Sequence, residues 1–89
     1  MVEKNSNSSL VTLDTFNVGD QGIIKMVTGE GKIRRRLFDM GLTPGALVFL
    51  RKKAPLGDPI EINIRGYELT LRKVEAQLVK LEKMKGEKQ

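Results

Sequence analysis

One stretch of helical period set among strand-period segments constrains this chain most. It runs from Gly31 to Gly45, Gly-Lys-Ile-Arg-Arg-Arg-Leu-Phe-Asp-Met-Gly-Leu-Thr-Pro-Gly. Ile33, Leu37 and Met40 fall at i, i+4 and i+7, one stripe of an α-helix, and Phe38 widens it. Lys32, Arg34, Arg35 and Asp39 take the other side, with Arg36 near the border. The spacing predicts a helix over roughly Lys32–Met40. Gly41 stands where a helix C′ residue adopts positive φ. Pro44-Gly45 suits the two central positions of a type II turn. A short basic helix is therefore stopped and turned sharply into the next strand.

The flanking segments read as strands. Ile23 to Thr28 is rich in β-branched residues, and the Val18-Gly19-Asp20-Gln21-Gly22 turn chemistry precedes it. Ala46 to Lys53 is apolar on both faces in its first half and ends in Arg51-Lys52-Lys53. Ala54-Pro55-Leu56-Gly57-Asp58-Pro59 is a loop, because prolines do not continue a central strand. Ile60, Ile62 and Ile64 then alternate with Glu61, Asn63 and Arg65, and Leu69 and Leu71 with Glu68, Thr70 and Arg72. These are two half-buried strands joined by a tight turn near Gly66. Lys73 to Ala76 followed by a strand over Leu78 to Glu82 fits the last apolar residues; a single helix from Lys73 to Lys83 is the alternative. Leu13 and Phe16 are expected to anchor the domain's start in the core. The fold class is mainly β: a small barrel of about five strands, with one inserted helix and a short helical turn near Lys73–Ala76. Residues 1–9, polar around Asn-Ser-Asn-Ser-Ser, are expected to form a disordered tail, 10–82 a single domain, and 83–89 a frayed basic tail.

Composition narrows the chemistry. The 89 residues suit one domain. There is no histidine and no cysteine, so zinc and redox-iron sites lose their usual ligands and no disulfide supports the core. Ser-His-Asp and Cys-His nucleophile systems are excluded with them. The glycines do not form a Walker loop, since no Lys-Ser or Lys-Thr follows at the required spacing. The chain is read as a non-enzyme without a cofactor. No apolar run approaches the ~20 residues of a membrane span, and no export signal is evident, so the cytoplasm is the expected location. Lys and Arg total 16 against 11 acidic residues, net +5, which favours an acidic partner.

The run Arg34-Arg35-Arg36-Leu37-Phe38-Asp39-Met40-Gly41-Leu42-Thr43-Pro44-Gly45 resembles the signature of the ferrous iron transport protein A (FeoA) family. So do Ala54-Pro55-Leu56-Gly57-Asp58-Pro59-Ile60 and Leu71-Arg72-Lys73-Val74-Glu75-Ala76, in order and at the right spacing. The resemblance covers roughly Leu13 to Leu81. It implies an SH3-like β-barrel with the helix inserted between early strands. It also implies a small cytosolic accessory protein of bacterial ferrous iron uptake. The partner it implies is the inner-membrane ferrous transporter FeoB, which carries a cytosolic GTP-binding domain. Docking, assembly and stimulation of nucleotide hydrolysis are the roles it suggests; the family also carries a transition-metal-binding label.

The candidate partner-binding residues are Lys32, Arg34, Arg35 and Arg36 on the helix and Arg51, Lys52 and Lys53 on the strand. Adjacent helical residues point about 100° apart. The three arginines therefore cannot form one flat claw, and Arg34 or Arg36 is expected to lie along the barrel. The competing reading is a solvated helix face whose arginine stems cover apolar surface. An arginine finger reaching a partner's nucleotide is a narrower use that no residue pattern places here. Asp58, Glu61, Glu68 and Glu75 are oxygen donors in principle, but a site needs several oxygens converging. Solvent-facing residues are the better reading of them, so no metal site is assigned.

Two other functions compete. Val18 to Ile24 is similar to the glycine-containing strand of KOW-type proteins, which would make this a basic nucleic-acid-binding barrel. The aromatic residues are only Phe16, Phe38, Phe49 and Tyr67, too few for stacking on bases. The third reading is a metal-responsive regulatory domain, disfavoured by the missing His and Cys. Self-association as a weak homo-oligomer stays open.

Overall fold

In the computed structural model, residues 10–84 are described. The tail segments 1–9 and 85–89 lie outside them. Six strands form one antiparallel sheet: β1 (Leu10–Thr12), β2 (Gln21–Val27), β3 (Leu47–Lys53), β4 (Ile60–Ile64), β5 (Tyr67–Leu71) and β6 (Val79–Lys83), in the order β1-β6-β2-β3-β4-β5. A 3₁₀ turn (Leu13–Thr15) follows β1, α1 (Gly31–Asp39) joins β2 to β3, and α2 (Lys73–Ala76) joins β5 to β6.

The strand count is one higher than expected. Leu10 and Val11, which carry no strand period of their own, form β1, with Val11 opposite Leu81. The ambiguous last stretch resolves into a helical turn followed by a strand. Lys83, assigned by sequence to the frayed tail, is the last residue of β6 and pairs with Gly22. Its main chain is held by the same ladder that holds Leu81 opposite Ile24.

The inner face of the sheet supplies the core. Ile24, Val48, Leu50, Ile60, Ile62, Ile64, Leu71, Val79 and Leu81 are all buried. Two register shifts, between Ile24 and Met26 and between Leu50 and Lys52, mark bulges that bend β2 and β3. The ladder does not close on itself: β1 and β5 are its two edges among the described residues. Side chains complete the barrel instead. Leu13 and Phe16 beside the 3₁₀ turn, Leu37 from α1 and Ala76 from α2 all join the strand residues in one apolar cluster.

The predicted helical stripe is narrower than its spacing suggests. Leu37 is fully buried and Phe38 and Met40 partly so, while Ile33 is 37% exposed. Leu42, just past the helix, is the second anchor, also fully buried. The helix ends in a Schellman motif. Leu42 N–H donates to Leu37 O at 3.1 Å and Gly41 N–H to Phe38 O at 2.9 Å, with Gly41 at φ +99°. A Cβ on Gly41 would also lie 2.5 Å from the Tyr67 hydroxyl, which donates to Met40 O at 3.0 Å. The Thr43–Ala46 turn has the expected type II features: Gly45 at φ +95° and Ala46 N–H donating to Thr43 O at 3.1 Å.

Candidate functional site

Successive positions on α1 send its cations to different tasks. Arg34 is folded down. Its Nε donates to Val27 O at 3.1 Å, at the end of β2, and its guanidinium stands 4.8 Å from the Phe38 ring centroid. That is an i, i+4 cation–π pair. Arg36 reaches the other way, toward α2, where its Nη2 lies 3.5 Å from Glu75 Oε2. Arg34 is thus the arginine that lies along the barrel, while Arg36 keeps 66% of its side chain exposed. Lys32 and Arg35 are exposed and join no ion pair among the described residues. A shallow groove beside Arg35 is lined by Gly31, Arg34, Phe38 and Asp39.

Glu75 is the residue that sequence reasoning places least well. Expected to face solvent with the other carboxylates, it is instead the buried charged side chain of the described domain, 5% exposed. Its Oε1 accepts the Arg72 N–H at 2.8 Å while Oε2 faces Arg36. The available signal is local: a glutamate three residues after a helix N-cap commonly reaches back to the cap's N–H. No local signal foretells the link to α1.

The strand cations sit elsewhere. α1 follows the last residue of β2 and precedes the first of β3, whereas Arg51, Lys52 and Lys53 lie at the far end of β3. Six residue steps of strand separate Leu47 from Lys53, on the order of 20 Å. Arg51 Nε is 3.0 Å from Glu68 Oε2 on β5. Lys52 stands opposite Glu61 and Lys53 opposite Ile60. The structure therefore divides the seven predicted residues into two groups at opposite ends of the β2–β3 pair.

The β2 start carries a further charged cluster. Asp20 Oδ2 accepts the Asn17 N–H at 2.8 Å and lies 3.0 Å from Lys83 Nζ. The backbone hydrogen bond from Asn17 is the main cause holding the Asp20 carboxyl below its ordinary value, and Lys83 adds to it against some desolvation. Among the described residues, no group of three or more acidic side chains converges as a metal site.

The FeoA domain model matches residues 11–83, nearly all of the described chain. The chain belongs to the FeoA family. A Porphyromonas gingivalis relative, an Fe(2+) transport protein A/Fe(2+) transporter FeoB fusion protein, is 34% identical over 70 residues, 79% of this chain. The FeoA-family chain spans only 8% of that relative's length. The NMR structure of a FeoA-like protein from Clostridium acetobutylicum superposes with a TM-score of 0.83 at 32% identity, covering 91% of this chain and 94% of that one. A Stenotrophomonas maltophilia FeoA complexed with zinc, described as an SH3 domain protein, has a TM-score of 0.72 at 23% identity, covering 83% and 95%. The SH3-like barrel expected of a FeoA domain is thus the fold observed.

Proposed function

We propose that this FeoA-family chain is a cytosolic accessory module of ferrous iron uptake that docks on a FeoB-type transporter and modulates it. The observation that carries this is the fusion relative, in which a matching domain shares one polypeptide with the transporter. A covalent link raises effective concentration to the millimolar range for short linkers. It is useful where two modules work together. The module is read as acting by binding.

The face assigned to docking is the exposed side of α1, with Lys32 and Arg35 as its cations and Arg36 at its border. Arg34 supports the helix and is not part of the contact. In the strand group Arg51 is already paired with Glu68, and Lys52 stands opposite Glu61 in the ladder. On α1, Lys32 and Arg35 present charge that no ion pair among the described residues engages, which suits an acidic partner.

The test is an NMR titration of labelled protein with the transporter's cytosolic GTP-binding domain, with duplex DNA and RNA in parallel at physiological salt. Saturable shifts on 31–41 with the protein domain alone are expected. Silence with that domain and saturable shifts with nucleic acid would overturn the reading in favour of a nucleic-acid-binding barrel.

A further inference from the structure

The far end of β3 builds a second surface of different character. The 54–59 loop forms its tip, and the start of α2 packs beside it. Ala54 N–H donates to Pro59 O at 3.0 Å and Gly57 N–H to Ala54 O at 2.7 Å. Asp58 Oδ1 accepts the Lys73 N–H at 3.0 Å, fastening the loop to α2. Asp58, Pro59, Arg72 and Val74 line one shallow groove, and Pro59 also lines the next, with Lys52 and Lys53. These residues therefore share one pole of the barrel.

That pole combines exposed apolar side chains with cations. Leu56 is 91% exposed and Val74 58% exposed. Lys52, Lys53, Arg72 and Lys73 share this pole, and none of these four joins an ion pair within 4 Å among the described residues. Lys25, Arg36, Arg51 and Lys83 all do. Asp58 and Glu61 are the acidic residues lining the two grooves. The loop's own hydrogen bonds satisfy part of its backbone, which lowers the cost of moving the tip into a less polar layer. A leucine on an internally bonded turn, at a pole where four cations outnumber the two acidic groove residues, matches the interface of a negatively charged bilayer. The cations meet phosphate headgroups and the leucine reaches the acyl boundary.

We propose that this pole docks on the surface of an anionic phospholipid bilayer. The site is separate from the α1 face, so the titration with the transporter domain can fail without touching it.

Co-sedimentation of the full chain with phosphatidylcholine vesicles, with and without phosphatidylglycerol, tests it. Binding to the anionic vesicles only, weakening as salt rises, is expected. Lys52→Glu/Lys53→Glu should lower the partition constant about tenfold or more, from the value of each cation near a charged surface. Leu56→Ser should lower it about fivefold through lost apolar insertion. Lys32→Glu/Arg35→Glu should bind like wild type. The chain has no tryptophan, so Leu56→Trp supplies a single reporter whose emission should shift to the blue on anionic vesicles alone. No binding to anionic vesicles, equal binding to neutral ones, or equal losses from the two charge-reversal pairs would each overturn the proposal.

Discussion

Two residues show how single side chains set the local geometry. Gly41 is required twice, for its φ of +99° and because a Cβ there would lie 2.5 Å from the Tyr67 hydroxyl. Gly41→Ala should cost about 1–3 kcal/mol, the range for a non-glycine residue held in the left-handed region. Tyr67→Phe removes the clashing oxygen and its bond to Met40 O, at about 0.5–1.5 kcal/mol. Urea unfolding of both single variants and the double should show a non-additive total, with the double less destabilised than the sum. Simple additivity would contradict the contact. Asp20 makes a pH prediction. Its folded carboxyl titrates below its ordinary value of 3.8 because Asn17 N–H and Lys83 favour the charged form. Such a group contributes stability that is fully present above the unfolded value. That stability is lost as pH falls through the folded one. Wild type should lose stability on acidification below about pH 4 more steeply than Asp20→Asn. Identical acid limbs in denaturant midpoints would leave Asp20 with no part in acid stability.

At the scale of elements, α1 is held less by its own stripe than by its ends. Leu37 and Leu42 are its buried anchors, Arg34 ties it to β2, and Arg36 ties it to α2 through Glu75. The two sides of the Arg36–Glu75 contact are unequal. Arg36 is mostly exposed at 3.5 Å, whereas Glu75 is buried and also takes the Arg72 N–H. Exposed ion pairs contribute roughly 0–1 kcal/mol. A buried hydrogen-bonded charge leaves a larger deficit when removed, since it abandons the N–H it satisfied. Glu75→Ala should therefore destabilise by about 2 kcal/mol, and Arg36→Ala by less than about 1 kcal/mol. Chemical denaturation of both checks the order, and equal losses would place Glu75 outside the packing role assigned to it. The same inequality explains which cations remain for a partner: those that no neighbouring element has claimed.

Across the whole molecule, legibility in the sequence follows locality. The Ile60-Ile62-Ile64 alternation, the Gly41 stop and the Pro44-Gly45 turn are short-range patterns, and each appears in the structure where its spacing places it. The strand over 79–83 is ambiguous in sequence because Val74, Leu78 and Leu81 satisfy a helical period while Val79 and Leu81 satisfy a strand period. Pairing with β2 decides between them. β1 escapes sequence reading because three residues carry no period of their own. The basic residues are legible as a set but not as an arrangement. Nothing in adjacent letters says that Arg34 folds onto Phe38 and Val27, or that Arg51–Lys53 stand at the other end of β3 from α1. Family membership rests on patterns the sequence displays, whereas the two poles of charge emerge only from the fold.

Docking of this domain on a FeoB-type transporter is assigned above to the exposed cations of α1. Isothermal titration calorimetry with the transporter's cytosolic domain reads that binding itself, using wild type, Lys32→Glu/Arg35→Glu and Lys52→Glu/Lys53→Glu. The α1 pair should weaken binding by about tenfold or more, as expected for reversal of contacting charges. The strand pair should bind like wild type, and the unfolding midpoints of all three proteins should agree. Undiminished affinity in the α1 pair, or a larger loss in the strand pair, would contradict the assignment.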